Sequence, residues 1–236
     1  MKRNCTVFLT MLIGIMALML CGTALAGTFS KSTTAPSTNI IEKFDTEYWD
    51  DRQLEVVRNG SMDTSTGQTF KHDTGFTMTA ITFKMWWYQN QGTPMVISSS
   101  GTNLIDIRVG KDTTGNGECN LEIASDTFDL TGQTLNDHDY ATFTFATPVG
   151  PLDADTTYGV DVWWTSEDAS HTIYFRRSKH EEETDPYPDG IMLYNRFYEA
   201  GGTFPTFAVG KNDLWDAQFW MQGTEVSAIG DWMMFD

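Results

Sequence analysis

Through much of this chain apolar and polar residues alternate one for one. In Thr79 to Tyr88 (TAITFKMWWY), Ile81, Phe83, Met85 and Trp87 fall on one side, and Thr82, Lys84, Trp86 and Tyr88 on the other. A period of two marks a half-buried β-strand. In Tyr158 to Thr165 (YGVDVWWT), Val160, Val162 and Trp164 share one face, while Asp161 and Trp163 share the other. In HTIYFRR, Ile173 and Phe175 alternate with Thr172, Tyr174 and Arg176. The first set of each segment belongs in a core, and the second set points away from it. The pattern predicts strands over Gln53 to Arg58, Gly67 to Lys71, Phe76 to Tyr88, Asn103 to Val109, Asn120 to Ser125 and Tyr140 to Thr147. Further strands are predicted over Thr156 to Thr165, Thr172 to Arg177, Ile191 to Tyr198 and Trp215 to Gln222. Turn clusters such as TTGNG (Thr113 to Gly117) and TPVGPLDAD (Thr147 to Asp155) separate them. Many short strands with no long, capped helical repeat predict an all-β protein, an antiparallel β-sandwich of jelly-roll type.

The sandwich domain is expected over residues 40–223. Before it, Gly27 to Asn39 is Ser/Thr-rich with little to bury and reads as a flexible linker. Ile40 to Trp49 (IIEKFDTEYW) fits either a helix or an arm lying over a sheet. After Gly223 comes a short C-terminal tail, residues 224–236. Residues 1–26 have the form of a secretory signal peptide. Lys2 and Arg3 make the positive start, Val7 to Leu20 the apolar run, and Ala24-Leu25-Ala26 the small-x-small site before Gly27. Cleavage after Ala26 and release outside the cell are expected, with no membrane association once the signal is gone.

Cleavage changes the cysteine count. Cys5 and Cys21 leave with the signal, so Cys119 is alone and no disulfide closes within the mature chain. A lone exported thiol is either buried and inert or pairs with another chain, and the flanking Glu118 and Glu122 favour the inert form. Charge narrows the partners. Fifteen basic residues against 32 acidic ones give a net −17, and loss of Lys2 and Arg3 makes the remainder more negative. Such a surface repels nucleic acid and anionic membranes. It favours solubility, and hard carboxylate oxygens also attract calcium.

Several of these stretches resemble a family. GQTF (Gly67 to Phe70) followed by GFTMTAITFKM (Gly75 to Met85), then LDADTTYGVDVWW (Leu152 to Trp164) and the closing LWDAQFWMQG (Leu214 to Gly223), are similar to the secreted bacterial β-sandwich modules named choice-of-anchor domains. The resemblance spans about residues 53–223 and implies an extracellular or surface location with a jelly-roll-like fold. It implies no chemistry and transfers no catalytic residue. Members usually end in an apolar anchor with a sorting signal, and the tail TEVSAIGDWMMFD is not of that form.

The candidate site is the outward face of the aromatic strands. If those strands adjoin, Trp86 and Trp163 supply stacking planes for sugar rings, with Tyr88 and Tyr174 flanking. Asp161 and Arg176 are then the hydrogen-bonding partners of the hydroxyls. The alternative is that an arm or loop covers this face and makes it a second small core. For metal, Asp112, Thr114, Asn116 and Gly117 imitate the start of a calcium loop. Ile123 stands where a bidentate Glu is needed, so the segment reads as a hairpin turn. Calcium through Asp153, Asp155 or the Asp185 to Asp189 loop has no position that spacing can fix. His72, His138, His171 and His180 show no ligand spacing, and no G-x-S-x-G elbow is present. The expected function is a non-catalytic extracellular module that binds a polysaccharide or cell-surface glycan. The alternatives are a self-associating subunit of a surface layer or filament, and a sandwich-fold polysaccharide-degrading enzyme.

Overall fold

A computed structural model describes residues 26–46, 52–58, 63–86, 94–117, 119–165, 171–179, 187–197, 210–212 and 215–226. In chain order its strands are β1 (Thr28–Ser32), β2 (Ile40–Phe44), β3 (Arg52–Arg58), β4 (Asp63–Phe70), β5 (Phe76–Lys84), β6 (Met95–Val96), β7 (Leu104–Lys111) and β8 (Leu121–Asp129). There follow β9 (Thr134–Leu135), β10 (Tyr140–Leu152), β11 (Tyr158–Trp164), β12 (His171–Lys179), β13 (Met192–Phe197), β14 (Gly210–Asn212), β15 (Trp215–Ala217) and β16 (Phe219–Glu225). No helix occurs among the described residues.

One sheet runs β1-β10-β5-β16-β2. The other runs β15-β12-β3-β4-β11-β7-β8, with β13 pairing β4 and β14, and β6 and β9 form a small ladder of their own. All pairings are antiparallel. The chain crosses between the sheets from β2 to β3, from β4 to β5, from β5 to β7, from β8 to β10, from β10 to β11 and from β15 to β16. That alternation gives the jelly-roll-like antiparallel sandwich expected from the pattern.

The inner faces meet in one core. Ile81, Phe83 and Met85 enter from β5, Ile105, Ile107 and Val109 from β7, Val160, Val162 and Trp164 from β11, and Ile173 and Phe175 from β12. These are the apolar sets that the alternation singles out. Phe83 and Phe175 stack across the layers with ring centres 4.7 Å apart, and an isolated bridge pairs Met85 with Phe175 at the corner where the sheets touch. Phe76 and Met78 are also core residues, although their parity is opposite to that of Ile81 and Phe83. The reason is a bulge: both neighbours of β5 shift register between Met78 and Ala80. One extra residue flips the side chains that follow.

Three segments differ from the sequence reading. Thr28–Ser32, expected within a flexible linker, is a strand on the edge of the first sheet. Phe29 explains it: its ring packs at 5.3 Å from Phe143, and Thr and Ser suit an edge position. Ile40–Phe44 is neither a helix nor a covering arm, but a strand paired with β16 that buries Phe44. TPVGPLDAD is not wholly a turn, because β10 runs on to Leu152 through two register shifts. Trp87, Tyr88 and Trp49 lie outside the described residues.

Candidate functional site

The strands carrying the expected platform do not form one surface: β5 meets β12 at a corner, but β11 lies apart from both. Trp86 follows β5 in one sheet, while Trp163 on β11 and Tyr174 on β12 belong to the other with β3 and β4 between them. Three strand spacings amount to about 14 Å. The aromatic residues therefore form two clusters, each built round an arginine.

The first cluster sits at the corner between the sheets. Trp86 N donates to Tyr174 O at 3.2 Å, and Met85 N to Asp139 O at 2.7 Å. His138 N returns to Met85 O at 3.1 Å from a left-handed backbone with φ of 66°. This hairpin brings the His138 ring edge-on to Trp86 at 4.8 Å. Arg176, only 4% exposed, lays its guanidinium 4.6 Å from the Trp86 ring centre. A planar cation over an indole is a favourable contact worth about 0.5–2 kcal/mol. It also occupies a face that a sugar ring would need. Trp86 is half-buried, and its Nε1 makes no hydrogen bond among the described residues.

The second cluster lies on the face of β11 opposite the core. Register places Arg108 of β7 directly across from Asp161. Its guanidinium donates to Asp161 Oδ2 at 2.5 Å, approaches Glu122 Oε2 at 3.8 Å, and lies 5.9 Å from the Trp163 ring centre. Asp161 is fully buried. Burial pushes its carboxyl up to about 6 from an ordinary 3.8, although Arg108 and a hydrogen bond from Ser65 both favour the charged form. What covers this face is a small second cluster of Cys119 and Leu193, seated over Gly159. A Cβ on that glycine would stand 2.7 Å from Cys119 Sγ and 2.9 Å from Leu193 Cδ1. Burial, with the charges of Asp112 and Asp161, pushes the Cys119 thiol up to about 12, which keeps it inert. Asp161 and Arg176 are thus packed away from solvent, where the platform required them open. Arg108 went unnoticed in the sequence, although its alternation within LIDIRVGK put it on the face of Asp106 and Gly110.

The calcium-like loop has its own use for Asp112. Oδ1 accepts from Thr114 N, Gly115 N and the Thr114 hydroxyl, and Oδ2 accepts from Gly117 N. Against a burial that would raise it, these N–H groups hold the carboxyl below its ordinary value. Both oxygens are committed to closing the turn. Among the described residues no three His, Cys, Asp or Glu side chains come together to hold a metal ion.

A cleft of about 590 Å³ opens elsewhere, between β8 and the irregular arm of β10. Phe145 and Val149 form its floor, and the exposed Ile123, Pro148 and Pro151 stand along its sides. At one end, Lys111 Nζ lies 2.7 Å from Asp153 Oδ2, and the Tyr158 hydroxyl accepts from Asp153 N at 2.9 Å. The opposite end carries Asp126, whose Oδ2 accepts from Ala146 N at 2.7 Å. This volume falls in the range of small-ligand sites, about 300–1,000 Å³. No local pattern announces the cleft, because it lies beside the stretch of β10 where the register against β5 shifts twice. A scan against protein-family models gives no match to this chain, and no curated protein matches it.

Proposed function

We propose that the protein is a non-catalytic β-sandwich binding module that works outside the cell, and that its ligand is a carbohydrate chain seated between β8 and the arm of β10. The observation that carries this reading is the cleft's composition. Sugars present apolar C–H faces and hydroxyl edges together. Ile123, Pro148 and Pro151 offer the first a surface, and Lys111 and Asp153 offer the second their hydrogen bonds. The signal-like residues 1–26 and the resemblance to secreted sandwich modules support the extracellular placement. The tryptophans are the weaker seat, since guanidinium groups already lie over both rings.

Affinity electrophoresis against a polysaccharide panel tests the reading. Ile123→Asp and Lys111→Ala are each expected to weaken binding at least tenfold, which is about 1.4 kcal/mol, and to leave the melting temperature within about 2 °C. Trp163→Ala should leave binding intact. Loss with Trp163→Ala alone would return the site to β11, and failure to bind any polysaccharide would overturn the proposal.

Self-association is a second reading with an observation of its own. β8 ends its sheet and exposes Leu121 (49%) and Ile123 (39%), and an open apolar edge invites a strand from another copy. Sedimentation of the wild type beside Leu121→Lys separates the two: a monomer at all concentrations removes this reading and leaves the first untouched.

A further inference from the structure

We propose that cleavage after Ala26 completes an ion pair within the fold, in which the new α-ammonium of Gly27 meets the carboxylate of Asp126. The nitrogen is already in place. Gly27 N donates to Asp126 Oδ1 at 3.0 Å across 99 residues of sequence, joining the start of β1 to the middle of β8. The same carboxylate accepts from Thr127 N at 2.8 Å and, through its other oxygen, from Ala146 N at 2.7 Å. Three N–H donors orient it without neutralising it. Among the described residues no lysine, arginine or histidine forms an ion pair with Asp126.

The position admits only glycine. A Cβ at residue 27 would stand 2.3 Å from Phe128 Cε1, 2.7 Å from its Cζ and 2.9 Å from Asp126 Oδ2. Phe128 cannot yield, since it is fully buried and wedged edge-on against Phe143 and Phe145. Glycine is what lets the backbone nitrogen reach the carboxylate. In the uncleaved chain that nitrogen is a neutral amide. Once the Ala26–Gly27 bond is hydrolysed it carries a positive charge and three hydrogens. Ala26 itself is exposed, so its removal takes no buried contact away. The consequence falls on β1, an edge strand whose only ladder partner among the described residues is β10, and the pair fastens the residue just before it to the opposite sheet. Export and folding are thereby linked: the processed chain is more stable than the same chain carrying one residue more.

The test compares two purified proteins, one beginning at Gly27 and one beginning at Ala26, each as wild type and as Asp126→Asn. The Gly27 form is expected to melt about 2–4 °C higher than the Ala26 form in wild type, and the two Asp126→Asn proteins should melt together. Should Asp126→Asn not fold, salt takes its place: the wild-type gap should narrow by at least half at about 1 M NaCl, where the screening length is about 3 Å. Amino-terminal sequencing of the exported protein is expected to read Gly-Thr-Phe. Equal melting in wild type, a gap that survives Asp126→Asn or high salt, or a different first residue would each overturn the proposal.

Discussion

Asp161 places a carboxylate wholly out of water, paired with the Arg108 guanidinium and hydrogen-bonded by Ser65. The pairing recovers only part of the lost hydration, and the group's affinity for protons rises to that of an acid with a pKa of about 6. Its folded pKa lies above the unfolded one, so the folded state binds the proton more tightly. The stability this confers is complete below about pH 4 and is lost as pH climbs through 6. Burial raises Glu42 and Asp106 too, and they act in the same direction. Asp112 and Asp153 are lowered and act oppositely, but only below their ordinary 3.8. Urea unfolding should therefore show the protein more stable at pH 5 than at pH 7. Asp161 supplies on the order of 1 kcal/mol of that difference, at about 1.4 kcal/mol per pKa unit, because part of its effect is already lost between pH 4 and pH 5. Asp161→Asn should flatten the slope between pH 5 and 7, and a slope unchanged in that variant would move the titration to another group.

At the scale of the strand, β11 shows how both faces of one strand come to be packed. Val160, Val162 and Trp164 enter the main core, and the reverse side at Gly159 receives Cys119 and Leu193. Gly159→Ala drives a methyl into Cys119 Sγ, and overpacking of this kind costs about 1–3 kcal/mol. Adding Cys119→Ala should restore most of that loss, as read by the urea midpoint, whereas Cys119→Ala alone should cost little. If the double variant is no better than Gly159→Ala, the clash lies with Leu193 Cδ1, at 2.9 Å from the added Cβ, instead. The alternation within β5, β7, β11 and β12 was legible because a two-residue period is local and the buried sets are apolar. The cover over β11 was not, since it depends on the Thr113 to Gly117 turn and on Leu193, distant residues with no marked pattern. Strand order was hidden for the same reason. YGVDVWWT and HTIYFRR look alike as text, yet β3 and β4 lie between them. Nor could the text reveal the second half of β10, whose irregular register disguises it as a turn.

The whole molecule is held by the interface between its two sheets, whose inward side chains form one core. Phe83 and Phe175 are fully buried, come from different sheets, and stack at 4.7 Å beside the Met85–Phe175 bridge. Truncating either ring empties a volume that neighbouring strands cannot refill without breaking register, so Phe83→Ala and Phe175→Ala should each cost about 3–5 kcal/mol. Their losses should not add. Once one ring is gone the other has no partner, and the double variant should fall short of the sum by about 0.5–1.5 kcal/mol. Phe128 makes a useful contrast, because it packs with Phe143 and Phe145 near the β1–β8 side of the same core. Phe128→Ala and Phe175→Ala should add to within about 0.5 kcal/mol if they share no partner. All of these variants should keep the wild-type dependence on urea concentration, since the surface exposed on unfolding is that of one sandwich. A shallower dependence in the Phe175 variants, with two resolved transitions, would mean that the sheets unfold separately and that the corner between them only joins two independent halves.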